Sequence, residues 1–444
     1  MDSRTIRKTF YSSVFIIIFS AFAGTAGMVV DGIFIGRFLG DVSMAAFGLV
    51  SPIFLLGNTV GGLISSGVTA VCAKKVGEKD FDSAQRTFSL SLLTVGILSL
   101  LSILLLAVFT DPIVRLLGAD SQALFAPTKE YILGLLLWIP ASFLMLLMQP
   151  IMQLDNDKIV IFIATLVATV TDIAMDAVFI RVFHGGMREM ALATSLSYLA
   201  GISVFFIHFR KKEKIFRLKL SHPDFSGFRD IIAYGVPTAV QRFSGTLRTF
   251  ALNKLLAVTA GTLALTALSV QSNMYNIFSS VGIGISLTTL TYTGVLMGEN
   301  NRSGIRELLR ISLTAAVMMN IAVTLILYLS TPFMVSLYLG SNLNAYENCL
   351  SAVRLFSLSL PFHAVANVYV SYYQAIGKLR RSNIVTFLND FFYTFVSALI
   401  LGRFLGEKGV YLSFLTGRAM TVVTLYIMAA AEKKHLPRTM EDLA

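Results

Sequence analysis

Long apolar stretches alternate with short polar punctuation along the whole chain. They run near 10–36, 44–72, 87–109, 131–153, 159–183 and 190–209, then near 231–258, 264–297, 311–329, 352–374, 383–405 and 410–431. Each has about twenty residues or more, enough to cross the hydrocarbon core of a bilayer as a helix. Isolated polar residues inside them follow no strand-like alternation. The pattern predicts an all-α membrane protein of about twelve transmembrane helices. Most connections are short, so neighbouring helices are expected to form antiparallel hairpins.

The pattern also repeats. Sliding the chain against itself by about 221 positions brings Gly40 onto Gly261, Ala46 onto Ala267 and Gly77 onto Gly298. Pro140 falls on Pro361 and Gln153 on Gln374. Two copies of one unit are expected, a lobe at 1–220 and a lobe at 221–444. Six spans per copy is an even number, so both copies share one orientation, related by a pseudo-two-fold axis along the membrane normal. Repeats of this kind in an apolar chain are a mark of transporters, whose sites lie between them.

Composition supports the membrane reading: 55% of the 444 residues are hydrophobic and 14% charged, with a mean hydropathy of +0.73. The net charge of +11 changes the picture only through its distribution. Most Lys and Arg fall in alternate loops, at Arg4/Arg7/Lys8, Lys74/Lys75/Lys79/Arg86, 210–219, Arg302/Arg306/Arg310, Lys378/Arg380/Arg381 and Lys433/Lys434. The positive-inside rule puts those loops and both termini in the cytoplasm. Anionic lipid then accounts for the excess charge, and no nucleic-acid partner is expected. The first apolar stretch reads as a retained span rather than a cleaved leader. The chain is expected in the plasma membrane (the inner membrane of a bacterium), as a monomer. Cys72 and Cys349 are expected at opposite ends of the bilayer, too far apart to join. The basic connector 210–223 reads either as an interfacial helix on the inner leaflet or as a solvated linker.

Ionisable residues inside the spans are the strongest chemical signal, because a charge there is costly and marks a cavity or a partner. The first copy holds Asp31 in its first span and Asp172 and Asp176 in its fifth. The last two are four apart and share a helix face. Two carboxylates that close cannot both remain charged in a low-dielectric site without a proton or a cation between them. The plainer reading of Asp31 is contact with headgroup water or with Arg37. The second copy holds Arg242, Arg248, His363, Asp390 and Arg418. Asp390 with one arginine reads either as a structural ion pair or as part of a substrate cavity, together with Gln153, Arg248 and Arg418. A lone His363 reads as a hydrogen-bonded packing residue or as a titrating group. Walker A, Gly-x-Ser-x-Gly, His-Glu-x-x-His and Cys-x-x-Cys motifs are all missing, so an enzyme is not expected.

At this point the chain resembles a known family. Val30-Asp31-Gly-Ile-Phe-Ile-Gly36-Arg-Phe-Leu-Gly40, then Met44 to Pro52, is similar to the start of a MATE (multidrug and toxic compound extrusion) transporter. Gly67 to Ala84 is similar to the family's second helix and following loop. Pro140 and Gln153 match its fourth helix, and Tyr234-Gly235-Val236-Pro237 the opening of its second lobe. The resemblance implies two six-helix lobes and export of amphipathic, often cationic, organic compounds against entry of H⁺ or Na⁺, without any other cofactor. It implies an ion site at Asp31, Asp172, Asp176 and Thr194. The family usually carries Asn where Asp172 stands, and the extra carboxylate favours protonation over plain Na⁺ coordination. Near the place where some relatives carry an acid in the seventh helix, this chain has Gly245 flanked by Arg242 and Arg248. Those arginines motivate the alternative, a flippase or exporter of anionic or lipid-linked substrates.

Overall fold

A computed structural model describes residues 3–119, 121–211, 214–218, 227–259, 261–339 and 345–434. Among them there is no strand. The helices of the first half are α1 (Ser3–Phe34), α2 (Gly40–Gly77), α3 (Phe81–Val108), a short α4 (Thr110–Leu116), α5 (Gln122–Gly134), α6 (Trp138–Leu154), α7 (Lys158–Arg181) and α8 (Met187–Phe209). The second half has α9 (Phe228–Thr259), α10 (Gly261–Phe278), α11 (Ser280–Gly298), α12 (Arg302–Leu339), α13 (Tyr346–Ser357), α14 (Leu360–Ala375), α15 (Leu379–Phe387), α16 (Tyr393–Leu405) and α17 (Glu407–Lys434).

Among the described residues, ten spans are long and apolar enough to cross a membrane, eleven if the bent pair α13 and α14, at 44°, is one broken span. The expected seventh span coincides with α9, which falls short in apolarity because it carries Arg242, Arg248 and Lys254. The expected fourth span is likewise interrupted, by a 3₁₀ turn at Leu135–Leu137 ahead of Pro140. A proline cannot donate to the helical ladder, and both breaks fall just before the paired prolines Pro140 and Pro361.

The repeat is visible in the backbone. Lys79 and Asn300 both adopt positive φ, at 62° and 52°, in the turns after α2 and α11. Asn156 and Gly377 do the same after α6 and α14, at 59° and 79°. Each pair lies 221 positions apart. The residues after the first pair are caps. Asp80 accepts from the Ser83 amide at 3.1 Å, and Asn301 from the Gly304 amide at 2.8 Å. Such caps satisfy amides that a helix start leaves unpaired.

The chain divides into two compact units, Phe15–Gly235 and Val236–Ala444 with Met1–Val14. Their starts, Phe15 and Val236, are again 221 apart, so each unit gives up the beginning of its first helix to the other. In the second unit, Ser13 Oγ lies 2.9 Å from Tyr292 Oη. In the first unit, the beginning of α9 lies against α2. A Cβ on Gly67 would stand 1.9 Å from the Ile231 carbonyl oxygen, and one on Gly235 2.2 Å from that of Leu63. Only glycine permits that approach. The 220/221 junction itself lies outside the described residues.

Large apolar side chains such as Leu100, Leu104, Leu325, Ile326 and Leu329 are exposed, while Asp31, Asp172, Asp176, Asp390 and Arg418 are buried. This inside-out distribution is what lipid as solvent requires. Cys72 and Cys349 are buried free thiols.

The described part of the basic connector is neither helical nor freely solvated. The Ile215 and Phe216 amides donate to Asp155, and Gln85 pairs with both the amide and the carbonyl of Arg217. Phe216 is fully buried, edge-on to Phe88 at 5.5 Å. Those amides are therefore unavailable to a helical ladder. Residues 212–213 and 219–223 of this segment lie outside the described residues.

Candidate functional site

Asp31 sits near the end of α1, four residues before a π-helical segment at Ile35–Leu39. Gly40 then takes φ 83°, a conformation that favours glycine, and α2 begins. Asp172 and Asp176 occupy successive turns of α7, and Thr194 lies in α8, which packs closely on α7. The structure brings the three carboxylates together: one oxygen from each lies within 4.8 Å of the others. All three residues are buried, and Asp176 is 0% exposed. Thr194 Oγ1 donates to Asp31 Oδ2 at 3.4 Å, sharing its proton with the Met190 carbonyl. Neither oxygen of Asp176 has a donor, nor does Oδ1 of Asp31 or Asp172. Arg37 is exposed and makes no ion pair with Asp31, which is itself 4% exposed. Among the described residues no cationic side chain pairs with any of the three acids.

Two further features of this pocket were not legible in the chain. Tyr131, fully buried in α5, lies near enough to the three acids to feel their charge, and its hydroxyl has no hydrogen-bond partner. It is held edge-on by Phe47 at 5.5 Å. A single tyrosine at the start of an apolar stretch carries no periodic signal, so only the packing of α5 on α8 reveals it. Gly27 is the second: a Cβ there would lie 3.2 Å from Asp172 Oδ2. The glycine leaves room for the carboxylate beside α1.

Such a pocket demands positive charge. Three carboxylates within 4.8 Å in a low-dielectric interior cannot all be ionised alone. One or more protons, or a cation coordinated by oxygens, must join them. Oxygen-only ligands suit Na⁺ or a proton and offer nothing to a soft metal.

Gln153 is not brought to this pocket. It is buried in the last turn of α6, beside the α7 start, whereas Asp172 is fourteen residues further along α7, roughly 20 Å by the helical rise. Arg248, Asp390 and Arg418 do converge, within the second unit. Arg248 Nη1 donates to the Asp390 carbonyl at 2.9 Å and lies 3.8 Å from its carboxylate. Arg418 Nη1 donates to Ser359 Oγ at 2.6 Å. His363 is buried between them. Its Nε2 is 3.1 Å from both Tyr275 Oη and Asn367 Nδ2, and its Nδ1 is 3.2 Å from Asn389 Nδ2. Asp390 thus forms an ion pair with Arg248, and both ring nitrogens of His363 lie within hydrogen-bond distance of a polar neighbour.

Repeated, broken helices with apolar side chains exposed and charged ones buried make this an integral membrane protein. The MatE family profile matches residues 17–178 and again 237–400, once per half of the chain. This chain therefore belongs to the MatE family, the transporters it was expected to resemble. The multidrug export protein MepA of Staphylococcus aureus (strain NCTC 8325 / PS 47) is 23% identical over 420 residues, covering 91% of this chain and 90% of MepA. The probable multidrug resistance protein NorM of Thermotoga maritima is 21% identical over 416 residues, covering 91% and 89%. Among solved structures, a multidrug resistance MATE family transporter in its outward-facing conformation superposes with a TM-score of 0.91 at 20% identity, covering 98% of this chain and 97% of that one.

Proposed function

We propose that this protein exports amphipathic organic cations, drugs among them, in exchange for inward movement of H⁺ or Na⁺, and that Asp31, Asp172, Asp176 and Thr194 form the coupling site. The observation that carries the reading is the group of three buried carboxylates within 4.8 Å with no basic side chain among them. Relatives named as multidrug exporters support the substrate class. A third carboxylate at Asp172 favours a proton as the ion, because protonation relieves the repulsion within the pocket directly. The substrate cation and the coupling ion then compete for the same negative charge. A ligand shifts alternating access only through its differential affinity for the two states.

The test is efflux of a fluorescent lipophilic cation from proteoliposomes under separately imposed H⁺ and Na⁺ gradients. Wild type is expected to respond to one gradient, and Asp31→Asn and Asp176→Asn to insert normally but lose coupled efflux by tenfold or more. Gradient-dependent efflux at wild-type rates in both variants refutes the site.

A further inference from the structure

The buried centre of the second unit has a charge imbalance that its own residues do not correct. Arg248 and Arg418 are 6% and 0% exposed, and among the described residues the carboxylate paired with either of them is that of Asp390. Arg242 is half-buried on the same helix, six residues before Arg248. Asp390 is engaged with Arg248 through both its backbone and its side chain, and it makes no ion pair with Arg418. Arg418 uses one nitrogen, Nη1, on Ser359. Its Nε and Nη2 are buried with no partner. An unpaired guanidinium edge inside a membrane protein is costly, so a partner is expected.

The surroundings are built to hold that edge in place. Tyr275, Phe356 and Phe414 cover the guanidinium of Arg418, with ring centroids at 5.3, 5.4 and 5.7 Å. Cation–π contact of this kind fixes a guanidinium while leaving its in-plane donors free. Gly417 sets α17 against α16, since a Cβ there would stand 2.6 Å from the Thr394 amide nitrogen. Asp390 lies in a π-helical turn, Leu388–Phe392, where the widened backbone presents its carbonyl to Arg248. Such turns break the regular ladder and recur at functional sites.

We propose that the Arg248–Arg418–Asp390 cluster is a binding site for a small monovalent anion, a halide or a carboxylate, seated on the Nε/Nη2 edge of Arg418 with Arg248 alongside. The fork of two parallel N–H donors matches a carboxylate or a single halide. The anion restores neutrality to a core holding two guanidinium groups and one carboxylate. The site is separate from the carboxylate pocket of the first unit and of opposite sign, so the chain carries one ion site of each polarity.

The experiment is a thermal-unfolding titration of purified full-length protein at constant Na⁺, exchanging a bulky sulfonate for chloride, bromide, acetate or benzoate. Saturable stabilisation is expected for at least one class, and the halide and carboxylate arms identify which. Arg418→Gln should weaken it at least tenfold, while Asp31→Asn should leave it intact even as coupled efflux is lost. Crystals of wild type soaked in bromide should show an anomalous peak within hydrogen-bond distance of Arg418 Nε and Nη2, which decides the matter if Arg418→Gln fails to fold. The proposal is overturned if no anion class stabilises saturably, if Arg418→Gln titrates like wild type, or if halides stabilise yet bromide occupies only surface positions.

Discussion

Asp172 shows how one side chain changes the chemistry of a pocket. An Asn there would bring a neutral amide and leave two acids; the carboxylate adds a third negative group within 4.8 Å of the others. Its position depends on a residue with no side chain at all. Gly27 faces Asp172 Oδ2 so closely that a methyl would sit at 3.2 Å, tighter than ordinary contact. Gly27→Ala should push the carboxylate aside at a cost of about 1–3 kcal/mol, the range for overpacking. The expected outcome is coupling-ion affinity reduced about tenfold, measured by ion-dependent thermal shift, with the protein still folded. Unchanged affinity would mean that Asp172 does not contribute to the ion site. Asp31, Asp172 and Asp176 were legible in the chain because charge inside an apolar span has few cheap explanations. Tyr131 was not, because a tyrosine in such a stretch is unremarkable until α5 is seen against α8.

At the scale of elements, the connector after α8 is a strap rather than a tether. Asp155 and Asp157, in the turn between α6 and α7, grip His208 at 2.8 and 2.6 Å, and Lys211 also reaches Asp157. Burial works against the charge on Asp157, but hydrogen bonds from Lys211 and His208 outweigh it and hold the carboxyl below its ordinary range. A lowered folded-state value means that the stabilisation is fully present above the unfolded value, about 3.9, and is lost as pH falls through the folded one. Asp157→Asn should therefore lower the Tm at neutral pH, and the gap to wild type should shrink below about pH 4. A gap that is constant with pH would show that the charge is not what holds the strap. The connector's basic composition was readable, but its conformation was not. The amides that Asp155 captures belong to residues sixty positions away in the chain.

For the whole molecule, the alternation of basic loops sets the topology to be tested. In a background lacking Cys72 and Cys349, cysteine at Lys378 is expected to react with impermeant thiol reagents only from the cytoplasmic side. Cysteine at Asn344, which lies outside the described residues, is expected to react only from outside. Labelling of Lys378 from outside would reverse the orientation of every helix. The repeat has a consequence of its own at this scale. Each compact unit begins at equivalent positions, Phe15 and Val236, and each first helix starts in the other's unit.

Amphipathic economy and period were sufficient, from the chain alone, to specify helices that cross a bilayer, two equivalent halves and the acids of the first copy. These are local properties: apolar length, proline and glycine spacing, and the cost of a charge in hydrocarbon act on each segment by itself. Tertiary structure decided which polar groups meet. It seated Asp31 beside Asp172 and Asp176 rather than beside Arg37, left Gln153 at the far end of its helix, and gathered Arg248, Asp390 and Arg418 into one core. It also placed the opening turns of α1 and α9 in exchanged units. Side-chain convergence depends on helix rotation and close approach, which glycines such as Gly67, Gly235 and Gly417 permit only where a particular neighbour is present. No periodicity within a single segment encodes that neighbour.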